Sequence, residues 1–205
     1  MSHKHSAPFE KGRFYHIYNR GNNKERIFFN EENYRYFLVK FDEYLSDFLD
    51  VYVFCLLLNH FHFLIRIKED LPGFQNLEGL EQLHRCPIIQ AYSNFFNAYT
   101  KAINKQEHRV GSLFQKNFKR ILIDEEKYLL QMIYYIHNNP VHHNICPSLE
   151  EYKWSSYMKI LNKRPSKLMK KEVIDIFGDE QGYIEFHQRC RIDFRGCENY
   201  LIDEK

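Results

Sequence analysis

The sequence predicts an α+β sandwich, in which an antiparallel sheet has helices packed on one of its faces. Segments typical of strands and helices follow one another in the order strand, helix, strand, strand, helix, strand, helix. The chain has 205 residues, of which 44% are hydrophobic, and this is enough to form a compact domain with a substantial core. No internal repeat or low-complexity linker interrupts the series.

Four segments are typical of strands. Residues 14–19 are aromatic and β-branched, and a turn-forming cluster over residues 20–23 closes them. Residues 51–58 form a continuous apolar run that predicts a buried strand, and residues 61–67 form the return strand after a short turn. Residues 118–123 give the fourth strand.

Three longer segments are typical of helices. Asn30 is the expected N-cap of the first, whose apolar residues recur at helical spacing as far as Phe48. Pro87 opens the second, which runs to about residue 105. Acidic residues at 124–126 open the third, and Pro140 is expected to end it after about residue 138.

The remainder of the chain predicts a small appendage. We expect a main domain over residues 1–164 and a helical extension with a loose tail over residues 165–205. Short helices are expected near residues 149–161, 171–177 and 180–188.

Composition narrows the class of protein. The formal net charge is only +2, which neither requires nor excludes nucleic acid, while 15 Tyr and 18 Phe would suit stacking on unpaired bases. The five cysteines form no C-x-x-C pair, so neither a zinc ribbon nor a disulfide framework is indicated. No signal peptide is evident, and no apolar run approaches the roughly 18 residues that span a membrane. We therefore expect a cytoplasmic protein without a membrane partner.

The sequence around His60 and His62 suggests a metal site. Alternate residues of a strand share a face, so both imidazoles point one way while Phe61 and Phe63 point into the core. Two imidazoles at this spacing can bind one divalent ion. A pair of histidines on a polar sheet face remains the commoner explanation of such a motif taken alone.

The helix before Pro140 suggests a nucleophile. Tyr135 and Asn139 are four residues apart, so one helical face presents both. A tyrosine hydroxyl, with a pKa of about 10, attacks poorly at neutral pH unless a metal polarises the target. The amide oxygen of Asn139 would suit Mg²⁺ or Mn²⁺ as a third ligand. Tyr134 and Tyr128 remain rivals, and a half-buried structural tyrosine remains open.

Basic groups interleaved with aromatics suggest contacts to nucleic acid. A solvated edge strand explains the charges near residue 118 equally well. The candidate DNA-binding residues are Arg20, Lys116, Lys119, Arg120, His142 and His143.

Taken together, these segments resemble the HUH single-tyrosine transposases, and specifically the branch of REP-associated tyrosine transposases. HUH describes His60-Phe61-His62. The stretches that carry the resemblance are residues 15–21, 58–65, 111–115 with 118–119, and 128–129 with 135–141. The chain departs from many relatives after the Asn-Pro turn, where it has His142-His143-Asn144 instead of Arg-Ala-Gly.

The resemblance implies a ferredoxin-like fold with the histidine pair on a central strand and the tyrosine on a helix beside a bound Mg²⁺ or Mn²⁺. It implies cleavage and rejoining of single-stranded, hairpin-bearing DNA through a 5′-phosphotyrosine, with a free 3′-OH. By position, the nucleophile is Tyr135 and the metal ligands are His60, His62 and Asn139. Members of the wider group act as dimers or monomers, so a monomer and a homodimer both stay open.

Three alternatives stay open beside this hypothesis. The first is an HUH relaxase or replication initiator. The second is a non-catalytic ferredoxin-like module that binds single-stranded nucleic acid through its aromatics. The third is an α+β domain whose histidines are incidental.

Overall fold

A computed structural model of the chain describes residues 7–71 and 86–189. The predicted tail beyond residue 189 therefore lies outside the described residues. The sheet is antiparallel throughout, with its strands in the order β2-β3-β1-β4, so β3 and β1 are its inner strands. The strands are β1 (Phe14–Arg20), β2 (Leu49–Leu57), β3 (His60–Ile67) and β4 (Lys119–Ile123).

The helices fall between these strands in the predicted order, and the α+β fold class is confirmed. Three longer helices are α1 (Glu31–Leu45), α2 (Pro87–Gln106) and α3 (Glu126–His142). Three short ones follow: α4 (Tyr157–Leu161), α5 (Lys170–Ile176) and α6 (Glu180–Arg189). Among the described residues, no helix is both long and apolar enough to cross a lipid bilayer.

The N-terminus of α1 shows how sequence sets an element boundary. The Asn30 side chain accepts a hydrogen bond from the Asn33 backbone N–H at 3.1 Å, and the Asn33 side chain accepts one from the Asn30 backbone N–H at 3.3 Å. This reciprocal pair forms a capping box that satisfies donors that the first helical turn leaves open. The predicted N-cap is confirmed.

One face of the sheet is an aromatic core under α1 and α2. Phe61 and Phe63 point into it as predicted, and both are almost fully buried. The ring of Phe63 stacks on Phe41 of α1 with a centroid distance of 4.1 Å, and Phe37 lies 5.1 Å from Phe61.

The opposite face is covered as well, so the prediction of helices on one face is wrong. The helix α3 packs across β2 and β3 on this side, where Leu64 and Val53 share a second apolar cluster with Ile133 and Ile136. The physical reason lies in the strands themselves. Along β1, β2 and β3 both sets of alternate side chains are largely buried, and such strands need cover on both faces.

The helix α3 continues through Pro140 to His142, contrary to the prediction that Pro140 ends it. Proline lacks an N–H, so the carbonyl of Ile136 loses its usual partner, but this occurs only in the last turn. That turn is closed by other backbone bonds: His143 N–H donates to the Asn139 carbonyl at 2.9 Å, and Ile145 N–H donates to the Pro140 carbonyl at 2.8 Å. Asn139 therefore keeps a helical position one turn after Tyr135.

Residues 165–189 pack against the main body of the fold. Leu168 pairs with Val51 at the outer edge of β2, and the Met169 N–H donates to the Val51 carbonyl at 2.9 Å. Val173 and Tyr183 are fully buried in the same apolar cluster as α3. A domain boundary at residue 164 stays a prediction.

Candidate active site

The two histidines of the HUH motif lie on β3, an inner strand, and face α3. His62 is fully buried and His60 is 5% exposed. Their ring centroids are 5.1 Å apart, with the ring planes nearly perpendicular. The pair thus lies in a protein-lined interface between sheet and helix, and not on the open polar sheet face considered above.

Tyr135 extends from α3 towards this pair. Its ring meets His62 edge-on with a centroid distance of 5.5 Å, and it meets His16 of β1 at 6.0 Å. Only 7% of Tyr135 is exposed. The tyrosine and the histidine motif, 73 positions apart in sequence, are therefore in contact across the layer between β3 and α3.

The rival tyrosines are placed differently. Tyr134 points towards α6, where its ring contacts His187 at 5.9 Å and Phe186 at 6.5 Å. Tyr128 lies seven residues before Tyr135, which is about 10 Å along the helix axis. Their positions favour Tyr135 as the residue beside the histidine pair.

Asn139 shows an unsatisfied buried atom. Its side-chain N–H donates to the Tyr135 carbonyl at 2.9 Å, and the residue is 1% exposed. The other amide atom, Oδ1, is buried and accepts no hydrogen bond within the described residues. Because a buried acceptor without a partner is costly, such an atom calls for a specific explanation, and an ion is one of the usual ones.

The candidate ligands His60 and His62 fit a divalent cation only if the amide oxygen of Asn139 is a third ligand. Within residues 7–71 and 86–189, no group of three or more His, Cys, Asp or Glu side chains is arranged to hold a metal ion. Two imidazole nitrogens and one amide oxygen form a mixed set that is compatible with Mn²⁺ or Mg²⁺, with water or substrate filling the other positions.

The ring nitrogens of both histidines are oriented by neighbours that sequence reasoning did not assign. The Asn59 side-chain oxygen lies 2.6 Å from His60 Nδ1, and the Asn59 amide N–H donates to the Lys24 carbonyl at 3.1 Å, which fixes the amide orientation. His60 Nδ1 must then be the donor, so its lone pair lies on Nε2. His16 Nε2 lies 2.9 Å from His62 Nδ1.

The sequence contains only a partial indication that His16 and Asn59 orient the two histidine rings. His16 stands in a predicted strand and Asn59 directly precedes the motif. Recognising their role required knowing that β1 pairs with β3 so that His16 faces Leu64 and Tyr18 faces His62. Strand partnership of this kind is not readable from one sequence.

Five of the six candidate DNA-binding residues lie near the site or on the exposed surface. Arg20 pairs with His60 across the β1–β3 ladder, and Lys119 pairs with Tyr18, so both share the face of the histidine motif. The His143 ring lies 5.3 Å from His60. Lys116, Lys119 and His142 are exposed. Contact of these residues with DNA stays a prediction.

Arg120 is separated from the other five. It pairs with Ile17, so its side chain lies on the opposite face of the sheet. There the guanidinium lies over the rings of Phe9 and Phe118 at 5.3 and 5.7 Å, and it donates to the Ala7 carbonyl at 2.5 Å. Burial lowers the pKa of this arginine. The alternation of strand residues places Arg120 away from the site that its neighbour Lys119 faces.

Comparison with known proteins gives one informative result. No family model matches the chain, and no curated protein matches it. A solved structure of a REP-associated tyrosine transposase bound to a REP hairpin superposes with a TM-score of 0.59 and 15% sequence identity, over 80% of this chain and 89% of that one. At this identity the similarity is one of architecture: this chain has the fold of a REP-associated tyrosine transposase.

Proposed function

We propose that this protein is a metal-dependent strand transferase that cleaves and rejoins single-stranded DNA, with Tyr135 as the nucleophile and His60, His62 and Asn139 as the ligands of Mg²⁺ or Mn²⁺. The observation that carries the proposal is the edge-on contact of Tyr135 with His62 at 5.5 Å, together with the buried acceptor of Asn139 one turn later. A nucleophile beside a candidate cation site is the arrangement that phosphoryl transfer requires.

In the proposed reaction, the Tyr135 oxygen forms a bond to the scissile phosphorus and gives up its proton. The bond from phosphorus to the 3′ oxygen breaks, and that oxygen takes up a proton to leave a free 3′-OH. The 5′ end of the downstream strand stays attached to Tyr135. A divalent ion held by the three ligands would polarise the phosphate and offset its charge. Attack of a 3′-OH on the phosphotyrosine reverses the step and rejoins DNA without ATP.

The substrate in this proposal is single-stranded DNA that carries a hairpin. Support comes from the similar structure, which was bound to a REP hairpin. In this chain, Lys119 and Arg20 lie on the strand face that carries the histidine motif, and exposed His142 lies beside His143 at its rim. The charged side chains of Lys119 and Arg20 would hold the phosphates on either side of the cleaved bond.

The test is a covalent adduct assay on oligonucleotides taken from the DNA that flanks the gene. Each strand is labelled at its 3′ end or at its 5′ end, incubated with protein and Mn²⁺, and run on a denaturing gel. We expect the 3′-labelled strand to become attached to protein, while the 5′-labelled strand yields a shorter free product with a 3′-OH. A chelator should abolish both products.

Two matched variants sharpen the assay. Tyr135→Phe keeps the ring but lacks the attacking oxygen, so it should form no adduct. Tyr134→Phe removes a hydroxyl from the adjacent residue that faces α6, so it should react like the unmodified protein. An adduct from Tyr135→Phe would overturn the nucleophile assignment. A folded protein that binds these strands but forms no adduct on any of them would instead be the non-catalytic module.

A further inference from the structure

We infer that His16 is a positioning residue for the metal ligand His62, and that it selects the His62 tautomer that can bind a cation. This inference rests on the proposed metal site and adds a residue to it. Its basis is the contact between His16 Nε2 and His62 Nδ1 at 2.9 Å, a hydrogen-bond distance between two fully buried rings.

The contact is held in place from several sides. His16 lies on β1 opposite Leu64, one alternate position from the Tyr18–His62 pair, so the two imidazoles meet diagonally across the inner strands. The His16 ring stacks on Tyr18 with a centroid distance of 4.9 Å and meets the Tyr135 ring at 6.0 Å. Neither ring can rotate away without disturbing this packing.

The proton count then decides the direction of the hydrogen bond. His62 Nδ1 is engaged by His16, so a cation could be bound only through His62 Nε2, which must carry a lone pair. A neutral imidazole has one proton, and it must therefore lie on Nδ1 and be donated to His16. If His16 were the donor instead, the His62 proton would sit on Nε2 and block coordination.

The ring of the other proposed histidine ligand, His60, is oriented in the same way, but by the side chain of Asn59. His60 Nδ1 donates to the Asn59 side-chain oxygen at 2.6 Å, which leaves its Nε2 as the coordinating atom. Metal-binding histidines almost always have such an acceptor at the other ring nitrogen, and loss of that acceptor typically lowers metal affinity about 10- to 100-fold. His16 supplies it through a ring nitrogen on the neighbouring strand.

The test is Mn²⁺ binding by the DNA-free protein, measured by calorimetry and by the electron paramagnetic resonance signal of unbound Mn²⁺. In His16→Leu the acceptor is lost while most of the side-chain volume is kept, and we expect affinity to fall about 10- to 100-fold. In His16→Gln the side-chain oxygen can accept from His62, and we expect affinity close to that of the unmodified protein. Unchanged affinity in His16→Leu, or equal loss in both variants, would overturn the inference.

A second measurement does not depend on the variants folding. With saturating Mg²⁺, the ¹⁵N chemical shifts of His62 in the unmodified protein should report a proton on Nδ1 and none on Nε2. The opposite tautomer would contradict the role of His16. Absence of Mn²⁺ binding in the unmodified protein would remove the metal site and this inference together.

The failure of the proposed function is distinguishable from these outcomes. A protein that binds Mn²⁺ through His62 and needs His16 to do so, yet forms no DNA adduct, would lose the transferase proposal and retain the role of His16. A protein that forms the adduct but binds Mn²⁺ equally well as His16→Leu would retain the transferase and lose the positioning role.

Discussion

The two faces of the sheet are built from the same strands and both carry an apolar cluster, but the face towards α3 also carries a group of buried polar side chains. Towards α1 and α2, alternate residues of β3 are Phe61 and Phe63, and they meet an aromatic layer. Towards α3, the intervening residues are His60 and His62, and His16 joins them from β1. Both faces are buried, so exposure does not explain the difference.

The difference teaches that alternate residues of one strand can meet different chemical demands, with aromatic rings on one face and buried polar groups beside an apolar cluster on the other. Burial of aromatic side chains supplies stability in proportion to the apolar area removed from water. Burial of polar groups supplies little and is costly where an atom lacks a partner, as Asn139 Oδ1 does within the described residues. The buried polar groups on the α3 face therefore contribute little to stability, which is consistent with the metal site proposed there.

The largest effect on stability should come from the aromatic face. Phe63→Ala removes a ring that is 1% exposed and stacked on Phe41 at 4.1 Å. We expect the free energy of unfolding to fall by about 3–5 kcal/mol, the usual cost of deleting a buried phenylalanine ring. Urea denaturation followed by circular dichroism measures it.

The paired variant on the other face is His62→Leu, which keeps a side chain of similar size. We expect a smaller loss, about 1–3 kcal/mol, because His16 loses the partner of its hydrogen bond. Mn²⁺ binding should show the reverse order: lost in His62→Leu and preserved in folded Phe63→Ala. Equal stability losses would mean that the two faces do not divide their roles as proposed.

The second prediction concerns the pH dependence of stability, and it rests on residues on the α3 side of the sheet. His137 of α3, His187 of α6 and Ser156 form a buried chain: His137 Nδ1 lies 2.9 Å from His187 Nε2, and His137 Nε2 lies 2.8 Å from Ser156 Oγ. Burial lowers the pKa of His187 to about 4 and holds the pKa of His137 well below its usual value. Both rings are therefore neutral when the protein is folded near neutral pH.

The sign of the pH dependence follows from these shifts. An unfolded histidine has a pKa of about 6.5, so the unfolded chain takes up protons before the folded one as the pH falls. The stability contributed by neutral His187 is complete above about pH 6.5 and decreases towards pH 4, by about 3 kcal/mol over that range. Denaturation curves at several pH values measure it.

His187→Gln is the control for this prediction, because carboxylate titration also affects stability in acid. The variant lacks one of the two titrating rings, so its stability should fall less steeply between pH 6.5 and pH 4 than that of the unmodified protein. Parallel curves for the two proteins would show that His187 does not titrate as its burial implies.

Sequence reasoning recovered local features well and spatial partners poorly. The Asn30 cap and the alternation of His60 and Phe61 depend on neighbouring residues, so pattern was sufficient. The continuous apolar run over residues 51–58 already indicated cover on both faces, but which helix supplies it depends on where α3 returns, and no local pattern encodes that. The resemblance selected Tyr135 over Tyr134 by position, but the contact of Tyr134 with α6 could not be read from the sequence. The hydrogen bond between His16 and His62 depends on strand pairing across 46 positions.

The smallest effect compares two adjacent residues of β4 on opposite faces. Lys119→Ala should weaken binding of single-stranded DNA a few-fold and reduce the slope of log affinity against log salt by about 0.7, as expected for one lost phosphate contact. Its stability should change by no more than about 0.5 kcal/mol, because the side chain is exposed.

Arg120→Met should behave in the opposite way. It keeps the apolar stem but loses the guanidinium that lies over Phe9 and donates to Ala7, so we expect about 1–3 kcal/mol less stability and an unchanged salt slope. Fluorescence anisotropy with a labelled strand over a range of salt concentrations gives both slopes. If Arg120→Met lowers the slope as much as Lys119→Ala, Arg120 reaches the DNA after all. The proposed restriction of DNA contacts to the face of the histidine motif would then not hold on β4.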